Sequence, residues 1–512
     1  MQIIIYEFKT NYHINNNGIN QADSPNSVKY PLKNIFTGEF MKQTKIIATM
    51  GPASSSPEMI EKLIQAGVNV FRMNFSHGTH EFHAENIVKI RSIAAKLSMP
   101  VGIMGDLQGP KIRVSKFVDN QVTLENGATI TLDTAYTELG TADLVGVDYK
   151  ELSHDVKSGD TLLLDDGKIT FTVLKVEGTK VHCNVTQGGV LKSNKGINKL
   201  GGGLTAPALT DKDLKDIVFI ASQKLDYVAV SFPKEAADMV FARRKLVEAG
   251  SNAQIIAKME RTEAVFKNLE AIIAASDGVM VARGDLAVEV GEALVPGLQK
   301  KMVRLCRKQH KVSIVATQML ESMIENPVAT RAEVSDIANA VLDGTDAVML
   351  SAETASGMFP LQAVQTMSRV CEEAEKMTEQ DMDVHFSHEK FANIQQTIAM
   401  SALFSAYHME AKAIVALTSS GSTARWLSRV ISGIPIYAIT SSQEALQSMS
   451  LYRGVYPFVM KTSSTDSFEH AKEACDYLKR QHILDEGDLV IATMGEKFSK
   501  VGSTNTLKVM TI

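Results

Sequence analysis

Lys258 and Glu260 stand two residues apart at the end of an apolar run, and the same spacing recurs in Arg72, Asn74 and Ser76, in Arg283 and Asp285, and in Ser351 and Glu353. Two further apolar runs end in Asp106 and Thr317. In an extended strand a spacing of two puts both side chains on one face. A salt bridge or a helix cap would account for any one of these pairs, but not for six strand ends together. Glu260 and Asp285 are hard oxygen ligands, too few to cage an ion alone. That is the usual situation of Mg²⁺, which keeps waters and takes substrate oxygens. Arg72, Arg113 and Lys258 offer positive charge suited to phosphoryl oxygens. With no Cys or Ser–His nucleophile in evidence, this set suits direct phosphoryl transfer, which depends on positioning and electrostatics. His77, a lone histidine beside a Gly turn, reads on its own as structural.

The elements that must position these residues are short apolar strands alternating with amphipathic helices, the pattern of βαβ units and a parallel sheet. The strand candidates are Lys45–Met50, Val68–Phe75, Val101–Asp106, Tyr227–Phe232, Gln254–Met259, Gly278–Arg283, Lys311–Thr317 and Ala347–Ser351, the last followed by a helix over Leu361–Lys376. Eight such units are what a closed (β/α)₈ TIM barrel requires, and catalytic residues gather at the C-terminal ends of its strands. An open doubly wound sheet is the alternative, but it needs no count of eight.

The barrel occupies 41–116 and 204–380. Between them, at 117–203, period-2 runs such as Thr161–Leu164 and Lys168–Val176 alternate with turns such as Asp165-Asp166-Gly167. They predict a small β-barrel or sandwich inserted in a barrel loop, placed to act as a lid. Residues 381–512 predict a C-terminal α/β domain, with a helix over Ile394–Tyr407 and strands at Ala413–Leu417, Pro435–Thr440, Val455–Met460 and Asp488–Thr493. Met1–Phe40, rich in Asn, reads as a disordered tail or as translated sequence ahead of the true start.

A 512-residue chain with 45% hydrophobic and 22% charged residues lies in the globular range, too long for one ordinary domain. Its net charge of -5 argues against general nucleic-acid binding. Four cysteines with no metal-ligand spacing read as reduced core thiols. No run long enough to span a membrane and no signal-peptide pattern is found, so no membrane partner is expected and the cytoplasm is the default.

At these residues the sequence resembles the pyruvate kinase family. The matching segments stand as Thr49-Met50-Gly51-Pro52-Ala53-Ser54, Arg72-Met73-Asn74-Phe75-Ser76-His77-Gly78, Ile256-Ala257-Lys258-Met259-Glu260 and Met280-Val281-Ala282-Arg283-Gly284-Asp285-Leu286. They continue with Ala316-Thr317-Gln318-Met319-Leu320-Glu321-Ser322-Met323, Thr330-Arg331-Ala332-Glu333 and Met349-Leu350-Ser351-Ala352-Glu353-Thr354. The resemblance runs from Thr44 to the C-terminus.

It implies phosphoryl transfer from phosphoenolpyruvate to ADP, the last step of glycolysis, in a cytoplasmic homotetramer. It implies that Lys258 stabilises the transferring phosphoryl group, that Arg72 contacts phosphate, and that Glu260 and Asp285 hold Mg²⁺ or Mn²⁺. The amides of Gly284 and Asp285, with the Thr317 hydroxyl, would hold the pyruvate carboxylate. Asn74, His77, Arg113 and Lys195 would serve the nucleotide. The enolate would be protonated by a set including Thr317 or by a network including Ser351 and Glu353. A phosphorylated allosteric effector would bind the C-terminal loop Thr418-Ser419-Ser420-Gly421-Ser422-Thr423, a hydroxyl- and Gly-rich turn before a helix at Ala424–Ser428. Fructose bisphosphate, a sugar monophosphate and AMP remain open as effectors.

The family's monovalent-cation site corresponds to Asn74, Ser76, Asp106 and the carbonyl of Leu107. Potassium-dependent members resemble Asp-Thr-Lys-Gly-Pro-Glu, whereas this chain reads Asp106-Leu107-Gln108-Gly109-Pro110-Lys111. A fixed ammonium on Lys111 can supply the charge K⁺ brings, which leaves the need for K⁺ open. Phe82 stands where many members have Tyr, and Ala287 where Gly is usual. Metal-dependent barrels that form or break carbon–carbon bonds of pyruvate are the competing enzyme class. The inserted lid, Lys258 just before Glu260, and the extra C-terminal domain argue against them. An inactive regulatory homologue would be expected to have lost some of Arg72, Lys258, Glu260, Asp285 and Thr317, all of which are present.

Overall fold

All eight barrel strands form in the computed structural model, which describes residues 41–377, 391, 393–461, 464, 466–495 and 502–512. The expected tail and the expected start of the C-terminal domain at Asp381 lie outside the described residues. The strands are Lys45–Thr49, Val70–Asn74, Gly102–Asp106, Tyr227–Val230, Gln254–Met259, Gly278–Ala282, Val312–Ala316 and Ala347–Leu350. Each pairs in parallel with its successor, and Lys45 opposite Ala347 closes the ring. Most ends fall a residue or two inside the expected bounds, because the polar end residues leave the ladder and turn into loops.

Several of the helices between the strands start on side-chain caps. Ser56 accepts from the Met59 N–H, and Thr210 and Thr330 form capping boxes with Asp213 and Glu333. Alternation along each strand then sorts the core into two layers. Ile46, Ala48, Phe71, Met73, Ile255 and Ala257 pack outward under the helices. Ile47, Val70, Met104, Ile256 and Met280 belong to a second cluster, which also takes Leu403, Leu427, Leu451 and Val455 from the C-terminal region. The barrel interior is therefore an apolar core shared with the C-terminal region.

Between the third and fourth barrel strands the expected inserted β domain forms, as open sheets around one apolar core that includes Leu132, Leu162, Phe171 and Val185. A six-stranded sheet runs Ile197–Lys199, Thr161–Leu164, Ile169–Glu177, Lys180–Gln187, Thr129–Asp133, Leu144–Gly146, and a two-stranded ribbon pairs Gln121–Leu124 with Gly189–Lys192. The C-terminal sheet has the order Val455–Val459, Ile436–Thr440, Ala413–Leu417, Leu489–Gly495, Thr504–Thr511. The last of these, an antiparallel edge strand, was not anticipated. It is half-exposed and lacks the apolar run that marks the buried strands. Among the described residues no helix is long and apolar enough to cross a membrane.

Buried ions fasten the C-terminal region to the barrel floor. Arg429 forms a two-pronged pair with Asp346, the residue before the eighth strand. The Arg453 N–H donates to the same carboxylate at 3.1 Å. Glu375 accepts from the backbone N–H groups of Gln43 and Thr44. Among these groups Lys45 donates to the Val455 carbonyl at 2.6 Å and lies over the Tyr456 ring. Burial lowers its pKa to about 7, helped by Lys42 and Arg453 and opposed by Glu375 and Asp346.

Between pH 7 and the ordinary lysine value of 10.5, the folded chain thus leaves Lys45 neutral while the unfolded chain protonates it. Over that window its contribution to stability rises with pH, by roughly 1 kcal/mol per unit. Denaturant unfolding at pH 7 and about pH 9 should show the native chain gaining stability relative to Lys45→Met. Parallel pH curves for the two proteins would contradict a neutral Lys45.

Candidate active site

Arg72, Asp106, Lys258 and Glu260 share the strand alternation of the inward-facing Val70, Met104 and Ile256, so they rise from the barrel interior to its open rim. There they form one buried charge network. Arg72 Nε meets Asp106 Oδ2 at 2.6 Å, and Lys258 Nζ lies 3.4 Å from Asp106 Oδ1 and 3.0 Å from Glu260 Oε1. Asp106 is 1% exposed and Glu260 0%. Burial alone would raise the Asp106 carboxyl, but the Lys258 and Arg72 charges outweigh it and hold it below the usual range. Burial likewise opposes the Lys258 charge, yet Asp106 and Glu260 together raise its pKa above the ordinary lysine value. The two carboxylates thus favour its ammonium form.

Glu260 is set differently. Burial pushes its pKa up to about 7, with Lys258 pulling down and Asp285 pushing up. Its Oε2 accepts the Phe232 N–H at 2.7 Å, whereas Oε1 receives no well-directed hydrogen bond despite the nearby ammonium. A dry carboxylate oxygen in that state, with a second carboxylate close by, is a donor set that fits a divalent cation. Among the described residues no cluster of three or more His, Cys, Asp or Glu supplies a larger cage.

Asp285 lies in the first turn of the helix Arg283–Val290. The Gly284 N–H donates to Thr317 Oγ1 at 2.8 Å, and that hydroxyl donates to the Ala316 carbonyl at 2.6 Å. The amide and hydroxyl expected to hold a carboxylate are thus adjacent, and here they bond to each other. Thr317 and Gln318 have φ of 72° and 53°, a strained left-handed corner for residues other than glycine.

Arg283 holds that corner. Its Nη2 donates to the Thr317 carbonyl at 2.7 Å, while Nη1 pairs with Asp336 at 2.6 Å. It had been grouped with the converging strand ends. The strand stops at Ala282, however, and Arg283 opens a helix, so its side chain leaves the strand alternation and turns to the neighbouring loop. Glu353 also serves the backbone, accepting from the N–H groups of Ser351 (2.7 Å) and Leu320 (3.1 Å).

Lys111 is placed otherwise than the cation-site reading expected. Its ammonium lies 3.3 Å from Asp285 Oδ1, and its recorded partner is that carboxylate rather than Asn74, Ser76 or Asp106. Asn74 Oδ1 accepts the Ser76 N–H, and the Leu107 carbonyl accepts the Ser231 hydroxyl. His77 is exposed, and its carbonyl is 2.9 Å from His83 Nε2. At the lid border Arg113 donates to the Asn194 carbonyl, and Lys195 pairs with Asp165 at 2.7 Å.

In the C-terminal region, Thr418, Ser419, Ser420, Ser422 and Thr423 line a small polar cleft with Gly495 and Gly502–Thr504. The helix after this loop starts at Ser422, two residues earlier than expected. Gly421, at φ 82°, makes the turn that lets its N–H donate to Thr418 Oγ1.

Two residues of the rim escaped the sequence reading. Thr49 accepts from Arg72 Nη1 at 3.1 Å, and Ser231 accepts from Lys258 Nζ at 2.7 Å. Each lies two residues beyond an inward-facing apolar residue, Ile47 and Ala229, so strand alternation could have found both.

Comparison with known proteins finds matches over nearly the whole described chain. The family model "Pyruvate kinase, barrel domain" matches residues 41–364, and "Pyruvate kinase, alpha/beta domain" matches 396–510. The chain is 50% identical to pyruvate kinase II of Salmonella typhimurium over 476 residues, covering 92% of this chain and 99% of that protein. It is also 50% identical to the pyruvate kinase of Haemophilus influenzae over 471 residues, covering 91% and 97%. The crystal structure of a pyruvate kinase from Cryptosporidium parvum superposes with a TM-score of 0.87 at 36% identity, covering 92% and 96%.

Proposed function

Since the chain belongs to the pyruvate kinase family, we propose that the buried charge network at the barrel rim carries its phosphoryl transfer, with Lys258 as the group that stabilises the moving phosphoryl. The protein is a phosphotransferase that converts phosphoenolpyruvate and ADP to pyruvate and ATP, the last step of glycolysis. The observation that supports the role of Lys258 is the position of its ammonium at the barrel rim, 3.0 Å from Glu260 and 3.4 Å from Asp106. A fixed cation beside the site of developing phosphoryl charge needs no rearrangement at the moment of reaction.

Arg72, anchored by Asp106, presents its remaining donors to the substrate phosphate. The Gly284 amide and the Thr317 hydroxyl exchange their mutual bond for the substrate carboxylate, which the Asp285 amide also meets. Arg113 and Lys195, with Asn74 and His77, receive the nucleotide from the lid side. The enolate takes its proton from a set that includes Thr317, acting through a water, or from a network that includes Ser351 and Glu353. Glu260 and Asp285 would hold Mg²⁺ or Mn²⁺, which when bound polarises the phosphoryl and carboxylate oxygens as a Lewis acid.

Lys111 extends the reading to monovalent ions. Lys111, 3.3 Å from Asp285, places a fixed ammonium beside the residues that would hold the divalent ion. K⁺ is then dispensable, with the fixed charge entering beside Asp285 rather than at Asn74, Ser76 and Asp106. The hydroxyl-rich loop Thr418–Thr423 is assigned to a phosphorylated effector and the assembly to a homotetramer, both on the family resemblance.

Lys258→Met should lower kcat by about 10³ or more while divalent-metal binding stays within a few-fold of normal. Near-normal turnover would remove the role given to Lys258. In a tetramethylammonium buffer without K⁺ the native enzyme should keep most of its activity. Lys111→Glu should slow it there and restore a response to added K⁺. A native enzyme almost inactive without K⁺ would contradict the substitution.

A further inference from the structure

The fourth barrel strand ends at Val230, and the residue after it bridges two parts of the site. Ser231 is 1% exposed. Its hydroxyl accepts from Lys258 Nζ at 2.7 Å and donates to the Leu107 carbonyl at 2.7 Å, so its polar capacity is taken up inside the network. Among the described residues no other neutral group pairs with Lys258. Its other neighbours are the carboxylates of Glu260 at 3.0 Å and Asp106 at 3.4 Å. An ammonium has three donors arranged about one nitrogen. With two carboxylates alone it could swing between them, and the short bond to Ser231 fixes a third direction.

The surrounding chain is built to keep the hydroxyl there. Gly109 has φ of 66°, and a Cβ on it would lie 2.7 Å from the Ser231 Cβ, so only glycine lets the Leu107–Lys111 loop come this close. On the other side the Phe232 N–H donates to Glu260 Oε2. Residues 231 and 232 thus hold both charged side chains of the fifth strand end, the first through a hydroxyl and the second through an amide.

We propose that Ser231 is a positioning residue for the phosphoryl transfer: it sets the direction of the Lys258 ammonium and ties it to the Leu107 carbonyl. This rests on the reading of Lys258 given above. A serine present only to fill space would tolerate alanine, because the loss of one oxygen removes little volume. A serine that aims a cation would lose turnover without losing substrate affinity in proportion.

Steady-state kinetics of Ser231→Ala, Ser231→Thr, Lys258→Met and the double variant Ser231→Ala/Lys258→Met test the inference. Ser231→Ala should lower kcat by about 10- to 100-fold, the weight of one charge-assisted hydrogen bond. KM for phosphoenolpyruvate should change far less. Threonine, which keeps the hydroxyl, should recover most of the loss. In the Lys258→Met background the serine substitution should have no further effect, since its target is gone.

Full turnover in Ser231→Ala, or an equal fractional loss with and without Lys258, overturns the inference. If Lys258→Met itself turns over normally, the reading of Lys258 fails instead. Thermal unfolding of each variant accompanies the kinetics. Should Ser231→Ala fail to fold, Ser231→Cys, with a weak donor in the same place, takes its place and should show the same split between kcat and KM.

Discussion

One buried carboxylate, Asp106 on the third strand, holds two cations that reach it from either side of the ring, and the geometry of the rim depends on that arrangement. Arg72 comes from the second strand and Lys258 from the fifth. A single charge buried without a partner would be strongly destabilising, and so would either cation if Asp106 were removed. Each ion therefore fixes the others. Because strands two to six are consecutive around the ring, Arg72, Asp106, Ser231, Lys258, Glu260 and Asp285 form a continuous arc. The barrel floor cannot compete for these groups, since its interior is filled with apolar side chains shared with the C-terminal region.

That division between a sealed floor and a charged rim explains why much of the fold was legible in the sequence. A strand buried on both faces must be apolar throughout, so the eight barrel strands stood out as short apolar runs, and a polar residue at a strand end had to have a reason to be there. Period-2 spacing then identified Arg72, Lys258 and Glu260. The same rule extended one step would have found Thr49 and Ser231, whose ordinary hydroxyls drew no attention beside charged neighbours.

Other features were not legible because they depend on where the chain turns. Arg283 shares its spacing with Asp285, yet a helix starting at Arg283 sends it to the carbonyls of the Thr317 corner. Lys111 was read beside the Asn74 and Ser76 corner and is found on Asp285, a partner that is 174 residues away in sequence. The edge strand Thr504–Thr511 carries too few buried residues to announce itself. Contacts made by loops are set by tertiary packing rather than by local periodicity.

The central claim is that this charge network is assembled for a phosphoryl group and a divalent ion together. The most direct measurement is a crystal structure grown with Mn²⁺ and phosphoenolpyruvate, with the metal located by its anomalous scattering. The account predicts one Mn²⁺ bound by both Glu260 and Asp285, and Lys258 Nζ in hydrogen-bond contact with a phosphoryl oxygen. A metal bound elsewhere, with Lys258 facing only Asp106 and Glu260 while substrate is present, would contradict it.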